Sequence, residues 1–225
     1  MGRAPALIAL ALAACDGTVS TPDALVDADL VDFTFSGTFI DWDTPCPIDG
    51  ATWTATYDDH RTTMTDGTGA FTLALASYTA LVDVTPPSEP SACTGGRYAI
   101  PGIAIAPPAV SLANGTFVAR SLTEARAATF YASFGAAFEP TRGNLLIHVN
   151  GTPRAFSITE PHAPTQAFTG TAWSAGDTGV DVVFPNIEIP MSQRATVTVA
   201  GGNAIGLGAV ELVPGAITYM TVILR

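Results

Sequence analysis

The sequence predicts an all-β protein, built as two tandem small β-sandwich domains. Three observations carry that expectation. After residue 30, apolar and polar residues alternate with a period of two along most of the chain, as in strands with one buried face. Turn-forming pairs of Asp, Asn and Gly separate the alternating runs. No long segment shows the period of an amphipathic helix. Composition agrees: of 225 residues, 48% are hydrophobic and 13% charged, ample apolar material for a core.

The chain opens Met1-Gly2-Arg3, continues with an apolar run over 4–14 and reaches Cys15. A basic start, an apolar stretch too short to span a bilayer and small residues before a cleavage point are the features of an export signal. Leu12-Ala13-Ala14-Cys15 resembles the lipobox of bacterial lipoproteins. The resemblance implies a signal peptide over 1–14, lipidation of Cys15, and a lipid-anchored place in the cell envelope, on its periplasmic or outer-surface face. Residues 15–30 carry Asp16, Asp23, Asp27 and Asp29 with no cation among them, and read as a solvated acidic tether.

From Val31 the alternation begins. Phe33 and Phe35 alternate with Thr34 and Ser36. Ala51, Trp53, Ala55 and Tyr57 alternate with Thr52, Thr54 and Thr56. Phe71, Leu73 and Leu75 form a third run, and Tyr78, Ala80, Val82 and Val84 a fourth. Asp49-Gly50, Asp58-Asp59 and Asp66-Gly67 are the expected turns. A further strand is expected over 98–105. Pro107-Pro108 cannot sit in a central strand, which places the expected boundary between a domain over 31–108 and one over 109–225. Ser121-Leu122-Thr123-Glu124 fits a capping box and predicts one helical turn before a strand over 128–134. Strands follow over 145–149, 154–158, 167–173, 180–184, 194–199, 209–213 and 217–224, with Asn150-Gly151 as a tight hairpin turn.

Charge and cysteine content exclude several functions. The net charge is −11 and every basic residue is Arg. Without clustered cations the chain has no means to grip a phosphate backbone, so no nucleic acid is expected as partner. Anionic lipid surfaces are disfavoured for the same reason. Lysine Schiff-base chemistry and a P-loop lysine are impossible. With Cys15 assigned to lipid, Cys46 and Cys93 remain, and in an exported protein they predict one disulfide. Closing a loop of 47 positions contributes roughly 4 kcal/mol on the chain-entropy account.

Gly37-Thr38-Phe39-Ile40-Asp41, Ile48-Asp49-Gly50-Ala51-Thr52-Trp53 and Thr65-Asp66-Gly67-Thr68-Gly69-Ala70-Phe71 together resemble the carboxypeptidase regulatory-like family, also called transthyretin-like. The likeness covers about residues 31–105. It implies a seven-stranded sandwich and a non-catalytic role. The loop holding Cys46 and the strand after Tyr78 depart from the family pattern. None of His60, His148 or His162 begins the H-x-x-E of a metallopeptidase.

Other constellations are weighed on local context. Ala172-Trp173-Ser174-Ala175-Gly176 has the spacing of a nucleophile elbow, but that elbow needs a helix after the serine, and a strand pattern follows here. His148 alternates with Leu145, Ile147 and Val149, so it should face solvent or a neighbouring loop. His162 lies in a Pro-rich loop, and nothing in the sequence brings either His to Asp177. Asp41, Asp43, Asp58, Asp59 and Asp66 fall at strand ends without regular calcium-loop spacing. Trp53 belongs to a core face, whereas Trp42, between Asp41 and Asp43, is a candidate platform for a sugar ring.

Two functional expectations result. The first is a non-enzymatic envelope lipoprotein with a structural or interaction role and no cofactor or metal. Its partners would be the membrane through Cys15 and an envelope protein or glycan. The second is a surface ligand-binding module, for carbohydrate or calcium, at Trp42, Asp41, Asp43 and the acidic turns. An exposed Trp42 beside converging carboxylates favours the second; a buried Trp42 favours the first.

Overall fold

A computed structural model describes residues 33–76, 81–106, 117–201, 204–205 and 208–224, with backbone alone for 58–60 and 204–205. The expected export signal over 1–14, Cys15, the expected tether over 15–30, Tyr78 and Pro107-Pro108 lie outside the described residues. Seven strands come first: β1 (Phe33–Asp41), β2 (Thr52–Ala55), β3 (Asp58–Met64), β4 (Ala70–Leu75), β5 (Leu81–Thr85), β6 (Gly102–Ile105) and β7 (Phe117–Ser121). A helix, α1 (Glu124–Ala132), follows. Then come β8 (Gly143–Asn150), β9 (Phe156–Ile158), β10 (Gln166–Phe168), β11 (Trp173–Ala175), β12 (Asp181–Ile187), β13 (Arg194–Val199), β14 (Ala204–Ile205), β15 (Ala209–Glu211) and β16 (Ile217–Leu224).

The all-β expectation holds. Strands β1 to β7 form a sandwich, with β4-β1-β7 over the β3-β2-β5-β6 part of a larger sheet. The alternation drives this, because every second side chain of β1, β2 and β4 is buried. Their rings interlock between the layers. Trp53 of β2 stacks on Phe71 of β4 at 3.8 Å, and Phe39 of β1 meets Trp53 edge-on at 5.6 Å.

The larger sheet runs on in the order β6-β16-β8-β12-β10-β11. A third sheet, β15-β13-β9, covers one face of that extension. Ala195, Val197, Val210 and Phe156 pack there against Leu145, Ile147, Val182, Phe184, Met220 and Val222. The opposite face is buried too, since Leu146, Val183 and Tyr219 belong to the first core. Strands covered on both faces read as near-continuous apolar runs. Ile217–Leu224 is buried at all eight positions.

Two sandwiches are therefore present, but they are fused through one sheet and the strand pairing does not divide near residue 108. β7, beyond that point, pairs in parallel with β1, Gly37 opposite Phe117. β16, at the far end of the described chain, pairs in parallel with β6, Ile217 opposite Gly102. Parallel pairing requires crossover connections rather than hairpins; the one from β1 to β7 stays within the first sandwich, whereas the one from β6 to β16 carries the chain through the second. Residues 31–225 accordingly cluster as one compact unit.

Several local expectations change. The strand expected over 128–134 is helix α1, capped by Thr123, whose hydroxyl accepts from Arg126 N at 3.2 Å. Thr123 rather than Ser121 provides the cap, and Ala127, Phe130 and Tyr131 form the buried face at helical spacing. The β2–β3 turn falls at Thr56-Tyr57 instead of Asp58-Asp59, which leaves Tyr57 70% exposed. Asn150 ends β8, and β8 pairs with β12 and β16 rather than with β9, so Asn150-Gly151 is no hairpin turn. The expected 98–105 strand is confined to Gly102–Ile105, with Tyr98 in a single bridge to Thr123. The expected 167–173 strand is two strands, β10 and β11, paired with each other.

The β3–β4 turn forms as expected. One Asp66 carboxylate oxygen accepts from Thr68 Oγ1 at 2.6 Å and from the amides of Thr68 and Ala70. These bonds, the Thr68 hydroxyl first, hold its carboxyl below the ordinary range. Gly69 has φ +74°, and a Cβ there would come within 2.5 Å of the Phe39 carbonyl oxygen. Gly69→Val should therefore destabilise the protein by about 1 kcal/mol or more. Gly67→Ala is the control, because no heavy atom lies within 4 Å of its Cβ position. Thermal unfolding of the two variants checks this: a lowered Tm is expected for the first and an unchanged one for the second.

Candidate functional site

Three ionisable side chains, Arg120, His148 and Asp181, converge at the seam between the sandwiches. Thr221, His148, Asp181, Phe168 and Trp173 occupy one register row across β16, β8, β12, β10 and β11. Neighbours in such a row point to the same face, here toward the end of β1, β7 and helix α1. Asp181 is fully buried. Its Oδ2 accepts from Arg120 Nε at 2.7 Å and its Oδ1 from His148 Nδ1 at 2.7 Å. A carboxylate can only accept, so the proton lies on Nδ1.

Arg120 arrives from β7, its guanidinium 4.7 Å above the Phe168 ring. Nη1 donates to the carbonyls of Asp41 and Trp42 at 3.1 and 3.4 Å. Trp173 Nε1 donates to that Trp42 carbonyl as well, at 3.1 Å. Four segments distant in sequence are thus bound to one another: the end of β1, β7, β8 with β12, and β11.

The structure overturns the expected ligand platform at Trp42. The ring is 1% exposed, stacked on Trp173 at 4.6 Å and edge-on to Phe130 at 5.1 Å. A core ring pair occupies the surface a sugar would need. The flanking carboxylates are engaged too. Asp41 is buried and accepts from Asp43 N, from Thr44 N and Oγ1, and from the Tyr98 hydroxyl at 3.0 Å. Asp43 receives a two-bonded fork from Arg126, at 2.6 and 3.0 Å, which raises the Arg126 pKa. Among the described residues, no group of three or more His, Cys, Asp or Glu is placed to hold a metal ion.

Cys46 and Cys93 are bonded, their Cα atoms 6.2 Å apart, so this expectation holds. His148 does share its face with Asp181, but it is 16% exposed rather than solvent-facing, because both faces of β8 are covered. Ser174 pairs with Ala167, one position out of the row of Trp173 and Phe168, and so projects from the opposite face of the sheet. Among the described residues, no hydroxyl hydrogen-bonds to His148. His162 instead contacts the Ala163 carbonyl and the Phe184 ring. The sequence reading missed Arg120 and Asp181. The available signal was Asp181 itself, a lone charge leading the apolar run Val182-Val183-Phe184.

This arrangement can clamp layers together. Its carboxylate is sealed with both oxygens occupied, and the imidazole that bonds it is 16% exposed. Asp181→Asn should lower stability by about 3 kcal/mol, since it leaves Arg120 buried beside a neutral amide. Replacing Arg120 with Met and Asp181 with Leu together should cost less than the two single changes summed. Chemical denaturation of the double-mutant cycle measures this coupling. An alkaline transition is expected as well. Burial, with Asp41 nearby, raises the Tyr98 phenol from 10.0 to about 12. The folded state then keeps a proton that the unfolded state releases, so stability falls as pH rises between those values. Tyr98→Phe should flatten this fall, measured as Tm against pH.

No protein-family model matches the chain, and no curated protein does. Among solved structures, the chain is similar to the Bacillus anthracis TIE protein at 11% identity and a TM-score of 0.26, over 87% of this chain and 34% of that one. It thus spans about a third of that protein. It is also similar to the shaft pilin SpaA from Lactobacillus rhamnosus GG, at 10% identity and a TM-score of 0.28, over 87% and 98% of the two chains. Scores this low assign neither fold nor activity.

Proposed function

We propose that this chain is a cell-envelope lipoprotein whose folded part serves a structural or interaction role without catalysis. One observation carries the reading. The ionisable groups that the fold brings together at the seam bind one another and hold the sandwiches in register. A catalytic centre needs titratable groups with access to a substrate; here the central carboxylate is fully buried. The burial of Trp42 favours this reading over a sugar-binding one.

Two further features support it. Strands β1 to β7 make a sandwich of three strands over four; six of them fall within residues 31–105, where the likeness to the carboxypeptidase regulatory-like family runs, and β7 comes from beyond it. Among the described residues no helix is long and apolar enough to cross a membrane, and Leu12-Ala13-Ala14-Cys15 supplies a lipid attachment point instead. Several acyl chains, or one chain with a second signal, are required for stable anchoring.

The test is fractionation of cells expressing the full chain. The native protein should require detergent for release from membranes, and Cys15→Ser should appear in the soluble exported fraction or remain unprocessed. Unchanged detergent-requiring membrane association of the variant would refute the lipid anchor.

A further inference from the structure

Away from the seam, three loops meet at one end of the first sandwich and enclose a cavity of about 460 Å³, within the size range of binding pockets. The β1–β2 loop contributes Pro47, Ile48 and Asp49, the β3–β4 turn Gly67, and the β5–β6 loop Pro87 to Cys93. Met64, the last residue of β3, forms a wall and is 60% exposed.

The loops are fastened to one another. The disulfide Cys46–Cys93 joins the first to the third. Gly69 abuts Pro47, and Gly50 faces Pro87. The third loop closes on itself through Ser91, which donates from its amide to Gly96 O and accepts from Gly95 N on its carbonyl. Such a groove loses little conformational freedom when occupied. Among the described residues its titratable lining groups are Asp49 and Glu89, both exposed carboxylates, and no Arg lines it. The protein as a whole carries −11.

We infer that this groove docks an extended peptide segment of a partner protein, one that carries arginine or lysine between apolar residues. Met64 and the prolines Pro47, Pro87 and Pro90 offer apolar contact. Asp49 and Glu89 select cations over anions, because a carboxylate on the partner would meet like charge. The inference names the partner chemistry for the interaction role proposed above and rests on that reading. The two fail separately, because Cys15→Ser leaves the groove unchanged and the groove variants leave the anchor unchanged.

The test is fluorescence anisotropy with the detergent-purified full chain and three labelled peptides. The first repeats arginine, valine and proline. The second has glutamate for arginine. The third has the same arginines spaced by glycine and serine. The first should bind saturably in the micromolar range, the second not at all, and the third at least tenfold more weakly. Asp49→Arg with Glu89→Arg, and separately Met64→Ser, should each weaken the first peptide about tenfold without changing the Tm. The inference is overturned by no saturable binding up to millimolar peptide. Equal binding of the first and third peptides, or native affinity in a correctly folded Asp49→Arg, Glu89→Arg variant, overturns it equally.

Discussion

A carboxylate removed from water must be paired, and the pairing of Asp181 determines how the two sandwiches join. The partner it takes from outside its own sheet is Arg120, delivered by β7. Once that guanidinium is fixed, its remaining donors hold the carbonyls of Asp41 and Trp42. This sets the direction in which the chain leaves β1 and lays Trp42 on Trp173. The net stabilisation from such an ion pair is small, because desolvation offsets most of the attraction. Its contribution lies in geometry. A buried charge tolerates few arrangements of its neighbours, whereas an apolar contact tolerates many.

The shared sheet imposes the complementary constraint. Strands β8, β12 and β16 need cover on both faces. The β15-β13-β9 sheet supplies one side; the first core, with helix α1, supplies the other. Polar residues on the second side must find partners there. Asn144 does so by accepting from the Tyr131 hydroxyl at 2.7 Å and from Asn186 N. Asn186, at φ +51°, forms part of the irregularity between Phe184 and Ile187 and donates to the Ala137 carbonyl. The segment after α1 is thereby tied to the sheet it covers. Burial leaves the Tyr131 phenol raised well above its ordinary pKa.

The strands were legible in the sequence because period-two alternation is a local property. β1, β2 and β4 alternate in burial as written. The disulfide was legible because two cysteines in a chain read as exported have few alternatives. What could not be read was long-range. Nothing in Phe117–Ser121 says that it pairs with a strand some eighty residues earlier, and alternation alone cannot tell whether the polar face of β8 meets water or another layer. His148 was placed toward solvent or a neighbouring loop for that reason. Trp42 misled in a related way. Its flanking aspartates suggested an exposed loop, yet the buried Asp41 is satisfied by local amides and the Tyr98 hydroxyl, and Asp43 by Arg126. Carboxylates beside a ring show exposure only when nothing distant in sequence comes to pair with them.

The distribution of charge follows from this packing. With nine arginines against twenty acidic residues, cations are the scarce species. Arg120 and Arg126 are drawn into the seam and its margin, and Arg142 pairs with Glu139 and Glu188. These three cations serve internal and neighbouring acids, while carboxylates such as Asp49 and Glu89 remain outward. The net charge of −11 gives the protein a negative field. Such a field disfavours polyanions at any approach and raises the encounter rate of cationic partners. The demand that buried acids be paired therefore shapes the interior and also biases what the exterior can attract.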